Sequence, residues 1–367
     1  MLLFKGPRDQ LLAPLQAVCG IVEKRHTLPI LSNVLMEKNG EKLTLLATDI
    51  EIQITTQTPT QGADKASMTV GARKLQDILR SLPDTAEVSL ALDDKRLQLK
   101  AGKSRFNLQT LPAEDFPRMA TGDGQASRLS VSQKQMKRLL GLVQYAMAQQ
   151  DIRYYLNGLL LVAKGTELRM VATDGHRLAY AAETLPEAPT PIEVILPRKT
   201  VLELSRQLAD SDDPLEVLLT PTQARFSFGN IELVSKLIDG KFPDYERVIP
   251  QHHSKIIKLS RNTLLHSLLR AAILTNEKFR GVRLVLSPGS LKIISSNAEQ
   301  EEAQEEIEIN YTAEALDVGF NVTYLLDVLN NVGNETIELH LADANSSALF
   351  VLPGNDTFKY VVMPMRI

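Results

Sequence analysis

A single pattern recurs three times along these 367 residues. Leu43-Thr44-Leu45-Leu46-Ala47-Thr48-Asp49 returns as Leu168-Arg169-Met170-Val171-Ala172-Thr173-Asp174 and, more weakly, as Leu291-Lys292-Ile293-Ile294-Ser295-Ser296-Asn297. Asp49 and Asp174 are 125 positions apart, and Asp174 and Asn297 are 123 apart. Solenoid repeats run to only about 20–50 residues, so a period this long means three copies of a whole domain. Other landmarks keep the phase. Residues 70–74 match 195–199 and then 318–322, and Phe116-Pro117 matches Phe242-Pro243. Polar, turn-prone joints at 121–127 and 250–255 divide the chain into 1–121, 128–250 and 254–367. Each piece is large enough to bury its own core.

The copies read alike locally. Each opens with a helix: Leu11, Leu12, Leu15 and Val18 form one stripe, and Met136, Leu139, Leu140, Val143 and Met147 a second behind Ser132. Leu264, Leu265, Leu268 and Leu269 form the third, behind Ser260. Apolar residues at i, i+3, i+4 behind a capping Ser mark a helix start. Pro14 interrupts the first stripe, which predicts a kink or a delayed start. Short apolar runs follow, broken at Asn39-Gly40, Lys164-Gly165 and Pro288-Gly289, where a tight hairpin needs φ > 0. A second helix carries Leu75, Ile78, Leu79 and Leu82 in copy one, with counterparts near Val201 and Leu325, and more strands close each copy. The fold class is therefore α+β, a mostly antiparallel sheet with two helices on one face.

Cys19 stands alone at an apolar helical position, which excludes an internal disulfide framework and reads as a buried structural thiol. No window is apolar enough for a membrane span, and no signal peptide is evident, so the expected compartment is the cytoplasm, with no membrane partner. The net charge of −3 is unevenly spread. Residues 1–121 hold 16 Lys/Arg against 14 Asp/Glu, 122–254 hold 15 against 16, and 255–367 hold 10 against 14. A basic first third and an acidic last third suit a head-to-tail contact between two chains, which closes into a ring when its rotation permits. Arg73, Lys74 and Arg80, then Lys134, Lys137 and Arg138, then Arg198, Lys199 and Arg206 give successive helices a basic side. Copy three's second helix has none. Twelve helices around a dimer's hole, at about 10 Å each, give a diameter of roughly 38 Å between helix axes, wide enough for a hydrated duplex. Such a lining holds phosphates without reading bases.

The repeat, together with Thr173-Asp174-Gly175-His176-Arg177-Leu178, Phe242-Pro243-Asp244-Tyr245, residues 150–158 and the terminal Met363-Pro364-Met365-Arg366, closely resembles the bacterial sliding-clamp family along the whole chain. The resemblance implies three tandem clamp domains, with antiparallel sheets outside and two helices each inside, and a head-to-tail homodimer forming a six-domain ring around duplex DNA. It implies a processivity factor without its own catalytic site or cofactor. Its partners would be a clamp loader, the DNA polymerase III alpha subunit, other polymerases, ligase and mismatch-repair proteins, all bound through short linear peptides.

The positions matching the family's peptide pocket are Leu156, Thr173, Gly175, His176, Arg177, Leu178, Pro243 and Val248, extended by Arg153, Tyr155, Asn321, Tyr324, Ser346, Val361, Met363, Pro364, Met365 and Arg366. Leu, Val, Pro and Met suit an adaptable apolar cleft. For DNA the matching residues are Arg25 and Gln150, with Arg73, Lys74, Arg80 and Lys199 as additions. Gln149 stands where a more basic neighbour is expected, so that loop would hold DNA less strongly. The dimer seam matches Lys74, Lys103, Arg105, Phe106 and Leu108 on one side and Ile273, Leu274, Glu299, Glu301 and Glu305 on the other.

An enzyme built on Asp174 and His176 is the main rival, since Asp-x-His can serve acid–base chemistry or ligate a metal. The repeat argues against it: the other copies carry Asp49/Glu51 and Asn297/Glu299, and no second His or Cys group supplies a ligand set. No nucleotide-binding glycine motif is present. A peptide-binding scaffold without DNA is the second rival, and it has no use for a basic lining.

Overall fold

The computed structural model describes residues 1–23, 28–120 and 126–367. Copy one contains β1 (Leu2–Pro7), α1 (Arg8–Cys19), β2 (Asn33–Asn39), β3 (Lys42–Thr48), β4 (Ile52–Pro59), β5 (Lys65–Gly71), α2 (Ala72–Ser81), β6 (Glu87–Asp93), β7 (Arg96–Ala101) and β8 (Ser104–Leu111). Copy two repeats the order as β9 (Ser127–Ser132), α3 (Gln133–Val143), β10 (Gly158–Lys164), β11 (Glu167–Thr173), β12 (Arg177–Thr184), β13 (Ile192–Pro197), α4 (Arg198–Gln207), β14 (Pro214–Leu219), β15 (Gln223–Phe228) and β16 (Ile231–Lys236). Copy three gives β17 (Lys255–Ser260), α5 (Arg261–Ala271), β18 (Gly281–Ser287), β19 (Ser290–Ser296), β20 (Glu302–Glu308), β21 (Leu316–Asn321), α6 (Val322–Asn331), β22 (Thr336–Leu341), β23 (Ala348–Leu352) and β24 (Asn355–Val362).

One compact unit comprises residues 1–134 and 202–237, and a second comprises 135–201 and 238–367. The first carries a twelve-stranded sheet in the order β1-β6-β7-β8-β5-β2-β3-β4-β16-β15-β14-β9. The second carries an eight-stranded sheet, β13-β10-β11-β12-β24-β23-β22-β17, and a four-stranded one, β20-β19-β18-β21. Named strand pairs are antiparallel throughout, as the α+β reading requires. Gly40, Gly165 and Gly289 all hold positive φ at the hairpins where the sequence places them.

The sheets join the copies by one rule. The last strand of copy two, β16, pairs with β4 of copy one, running from Ile231 opposite Thr56 to Ser235 opposite Ile52. The last strand of copy three, β24, pairs with β12 of copy two, from Phe358 opposite Ala181 to Val362 opposite Arg177. Two members of this series lack such a partner among the described residues. The last strand of copy one, β8, pairs with β7 and, only at Thr110 and Leu111, with β5. In copy three, β20 is a sheet edge paired with β19 alone.

Two expectations need correction. Each copy begins with a strand before its helix, because the first residues pair with a distant partner, as Leu2–Pro7 does with β6. Pro14 neither delays α1 nor ends it, and lies buried inside a helix that runs from Arg8 to Cys19. Proline cannot donate to the carbonyl four residues back, here Gln10. The Thr58 hydroxyl, reaching across from β4, donates to that carbonyl at 2.9 Å and replaces the missing bond. Ser260 caps α5 as expected, accepting from the Thr263 amide at 3.4 Å.

Candidate functional site

The residues 173–178 turn the chain from β11 into β12 within the second unit. The Thr173 hydroxyl donates to the Arg177 carbonyl at 2.6 Å and accepts from the Gly175 amide at 3.1 Å. Asp174 Oδ1 accepts from the His176 and Arg177 amides at 2.9 and 3.1 Å. Gly175 sits at φ +89, where a side chain is strained, and a Cβ there would meet the Arg153 guanidinium at 3.0 Å. His176 is left exposed at the tip.

The end of the chain docks beside it. The Met363 amide donates to the His176 carbonyl, and the Met365 amide to the Gly319 carbonyl, both at 2.9 Å. Gly319 permits this approach: a Cβ would stand 2.5 Å from the Met365 carbonyl oxygen and 2.8 Å from Ile367 Cδ1. Met363 is 48% exposed next to His176. Leu178 and Val361 lie in a core cluster with Leu160, Tyr180, Phe242 and Ile249, against which Tyr155 and Tyr245 pack. Phe242 and Ile249 anchor the exposed Pro243 and Val248 beside them. Among the apolar positions expected at the site, Leu156, Leu178 and Val361 form buried support, while Pro243, Val248 and Met363 offer accessible surface.

Arg177 is the structural centre. Its Nε donates to Asp174 Oδ2 at 3.1 Å, its Nη1 to Asp327 on α6, and its Nη2 to the Tyr145 carbonyl at 2.6 Å. The guanidinium also lies 4.5 Å from the Tyr324 ring centroid. Burial disfavours its charge, but Tyr360, Asp327 and Asp174 more than offset this and hold its pKa above the usual value. Burial raises the Tyr360 and Tyr145 hydroxyls well above theirs. Tyr360 donates to the Tyr324 carbonyl at 2.9 Å. Asn321 caps α6, accepting from the Thr323 amide, and the Ser346 hydroxyl donates to Asp343. Arg153 grips Asp151 through Nε at 3.0 Å and Nη2 at 2.9 Å, which lowers the Asp151 carboxyl to about 2. Arg366 is exposed.

The arrangement is a preformed apolar shelf with exposed donors and acceptors at its rim, which suits a bound peptide. Both oxygens of Asp174 are spent on the turn and on Arg177, leaving it poorly placed as a general base. Among the described residues no group of three His, Cys, Asp or Glu could hold a metal ion.

Residues 2–120, 130–244 and 246–366 match, in order, the N-terminal, central and C-terminal domains of the DNA polymerase III beta subunit family. The chain belongs to this family. The beta sliding clamp of Pseudomonas putida is 48% identical over 366 residues, covering 99% of this chain and all of that one. The beta sliding clamp of Escherichia coli K12 is 43% identical over 365 residues, with the same coverage. A crystal structure of the Pseudomonas aeruginosa sliding clamp bound to griselimycin superposes with a TM-score of 0.96 at 46% identity over the full length of both chains. The fold is thus that of the sliding clamps, three tandem domains of mixed strands and helices.

Other expected sites of this beta-subunit family chain are distributed as follows. Lys74, Arg80 and Gln150 are exposed, and Lys199 is half-buried at the start of α4. Arg73, expected on a solvent face, is half-buried because its Nη2 donates to the Val22 carbonyl at 2.6 Å. Arg25 lies outside the described residues, as do 121–125 of the first joint. Lys103 and Arg105 are exposed at β8, with Phe106 and Leu108 half-buried on the same strand. Ile273, beyond α5, is 76% exposed, and Leu274 is half-buried. Glu299 and Glu301 are exposed near β20, and Glu305 is already held by Arg270 of the same chain. Sequence reasoning missed Asp327, Tyr145 and Gly319. Their roles appear only when segments distant in sequence pack: Asp327 meets Arg177 across copies two and three, Tyr145 meets Arg177 within copy two, and Gly319 meets Met365 within copy three.

Proposed function

We propose that two chains close head to tail into a ring that encircles duplex DNA and tethers polymerases to it, conferring processivity without sequence-specific binding. The observation carrying this is the series of strand pairings. β16 with β4 and β24 with β12 leave β8 and β20 as the pair that a second chain would complete. Carrying the observed register over places Ser104 opposite Glu305 and Leu108 opposite Glu301 of the partner copy. Exposed edges invite such pairing. Basic residues at β8 facing the acidic Glu302–Glu308 strand, and the uncovered Ile273, favour it further.

In this reading the three domains span 1–121, 128–250 and 254–367, and the chain works in the cytoplasm as an accessory subunit with no catalytic site or cofactor. No helix among the described residues is long and apolar enough to cross a membrane. Lys74, Arg80, Gln150 and Lys199, with Arg25 and the partly engaged Arg73, hold phosphates loosely. The shelf around His176, Met363 and Val248 takes short linear peptides from the polymerase III alpha subunit, other polymerases, ligase, mismatch-repair proteins and the clamp loader. His176→Ala should weaken such peptides at least about tenfold while leaving the dimer intact; unchanged affinity by fluorescence anisotropy would remove the pocket from this reading.

The decisive experiment is retention on circular plasmid DNA, before and after linearisation, with a compatible clamp loader and ATP. Retention on the circle and loss from cut DNA means topological linkage. Equal retention on both means ordinary surface binding and overturns the ring.

A further inference from the structure

The first unit contains a counterpart of the turn at His176. In residues 48–51 the Thr48 hydroxyl donates to the Ile52 carbonyl at 2.8 Å and accepts from the Ile50 amide at 3.0 Å. Asp49 Oδ1 accepts from the Glu51 and Ile52 amides at 2.9 and 2.8 Å. The Lys236 amide donates to the Glu51 carbonyl at 2.9 Å, as Met363 does to His176. The backbone cradle of the peptide shelf is therefore built a second time, from copies one and two.

A strap formed by residues 117–120 faces this turn. It is fastened at three points: the Met119 amide donates to Gln53 at 2.9 Å, Arg118 to Glu37 at 2.6 Å, and the Gln223 amide group to the Ala120 carbonyl at 2.9 Å. Turn and strap border a half-open cavity of about 310 Å3. That volume is at the lower end of small-ligand pockets, roughly 300–1,000 Å3. Ile50 stands at its rim, 42% exposed and at φ +72, where copy two has Gly175. A β-branched residue is strained in the left-handed region, so the turn holds an apolar side chain over the cavity at a conformational cost. Pro117 and Met119 add apolar wall. Among the described residues, the only charged groups in the lining are Arg118 and Lys236. Each is about half-exposed, and each is paired with one glutamate, Glu37 or Glu51, that lies outside the lining.

We propose that this cavity is a second peptide-binding site, which takes a short extended segment carrying an apolar residue beside an acidic one. The apolar side chain fills the space between Ile50, Pro117 and Met119, and the acidic group meets Arg118 and Lys236. The cavity and the repeated cradle carry this inference; the cradle argument rests on the peptide reading of the shelf at His176, while the cavity is a separate place on the chain.

The chain contains its own reporters. Met119 lines this cavity, whereas Met363 and Met365 lie at the other site, so methyl NMR of [methyl-13C]methionine-labelled dimer reads both sites at once. The probe is the blocked tetrapeptide Ac-Asp-Leu-Leu-Asp-NH2, and the Met119 signal is identified by its loss in Met119→Leu. The Met119 resonance is expected to move saturably, with half-saturation on the order of 1 mM, the range for a short flexible ligand. It should do so equally in a His176→Ala chain. Arg118→Glu with Lys236→Glu should weaken the response at least about tenfold, the scale of one lost charge-assisted contact. A stationary Met119 overturns the proposal, whether or not Met363 and Met365 move; movement of those two alone leaves the His176 site standing and removes only this one. Equal movement of Met119 with Ac-Lys-Leu-Leu-Lys-NH2 also overturns it, because the charge complementarity would be absent.

Discussion

Arg177 shows how one side chain can hold a turn and a helix from two copies together. Its side chain is only 9% exposed, and it joins the turn of copy two, through Asp174, to α6 of copy three, through Asp327. Arg177→Ala would leave both carboxylates partly buried without their cation. Removing one member of such a pair costs about 3 kcal/mol or more, so the urea midpoint of unfolding should fall clearly. Asp151 behaves differently, since it is half-buried beside a single partner, Arg153, whose own side chain is exposed. Its pKa is depressed in the folded state by Arg153. Any stability it contributes is present above the unfolded value of about 4 and is lost as pH falls through about 2. Asp151→Asn should therefore flatten the thermal stability profile across that acidic window, with any loss relative to the parent fully present near pH 7 and vanishing as the pH falls to about 2. Identical acid profiles for the two proteins would show that the Arg153 grip adds nothing to stability. The residue types at this site were legible in the sequence through the motif from Thr173 to Leu178. The partners Asp327 and Tyr145 were not, because each lies far along the chain and neither carries a local signature.

At the scale of elements, α1 shows why local rules need a tertiary supplement. Its apolar stripe is visible in Leu11, Leu12, Leu15 and Val18, yet Pro14 argues against an unbroken helix. The Thr58 hydroxyl, supplied by β4, removes that objection by satisfying the Gln10 carbonyl. Thr58 is buried, so Thr58→Val leaves the carbonyl unpaired and should destabilise the fold by about 1–3 kcal/mol. Pro14→Ala restores an amide donor, so adding it to Thr58→Val should recover part of the loss in denaturant melts. Strict additivity of the two substitutions would show that the hydroxyl and the missing amide are not linked. The hairpin glycines at 40, 165 and 289 were readable because positive φ is a local demand. Gly319 was not, because its constraint is the Met365 backbone lying where a Cβ would be.

At the scale of the whole molecule, the two intrachain junctions supply the templates for the contact between chains in the proposed ring. Antiparallel partners lie about 4.5–5.5 Å apart at Cα, within the span of a disulfide. Leu108→Cys combined with Glu301→Cys should therefore cross-link two chains on mild oxidation and give a covalent dimer on non-reducing gels. The native Cys19 does not interfere: it is buried, and burial pushes its thiol up to about 12, which leaves it unreactive near neutral pH. Cross-linking that fails while sedimentation still shows a dimer would mean that the register at the junction between chains departs from the two junctions within the chain.

The sequence by itself determined that there are three copies, that each is an α+β domain, and that charge shifts from basic to acidic along the chain. These follow from repetition, side-chain periodicity and simple counting, all of which are carried by residues close together or compared one against another. Only the tertiary structure decided that β16 joins β4 and β24 joins β12, that Arg73 is engaged by the Val22 carbonyl, and that the chain end docks against Gly319. Those outcomes depend on backbone groups that every residue carries in common, and their pairing is chosen by which surfaces meet when distant segments pack.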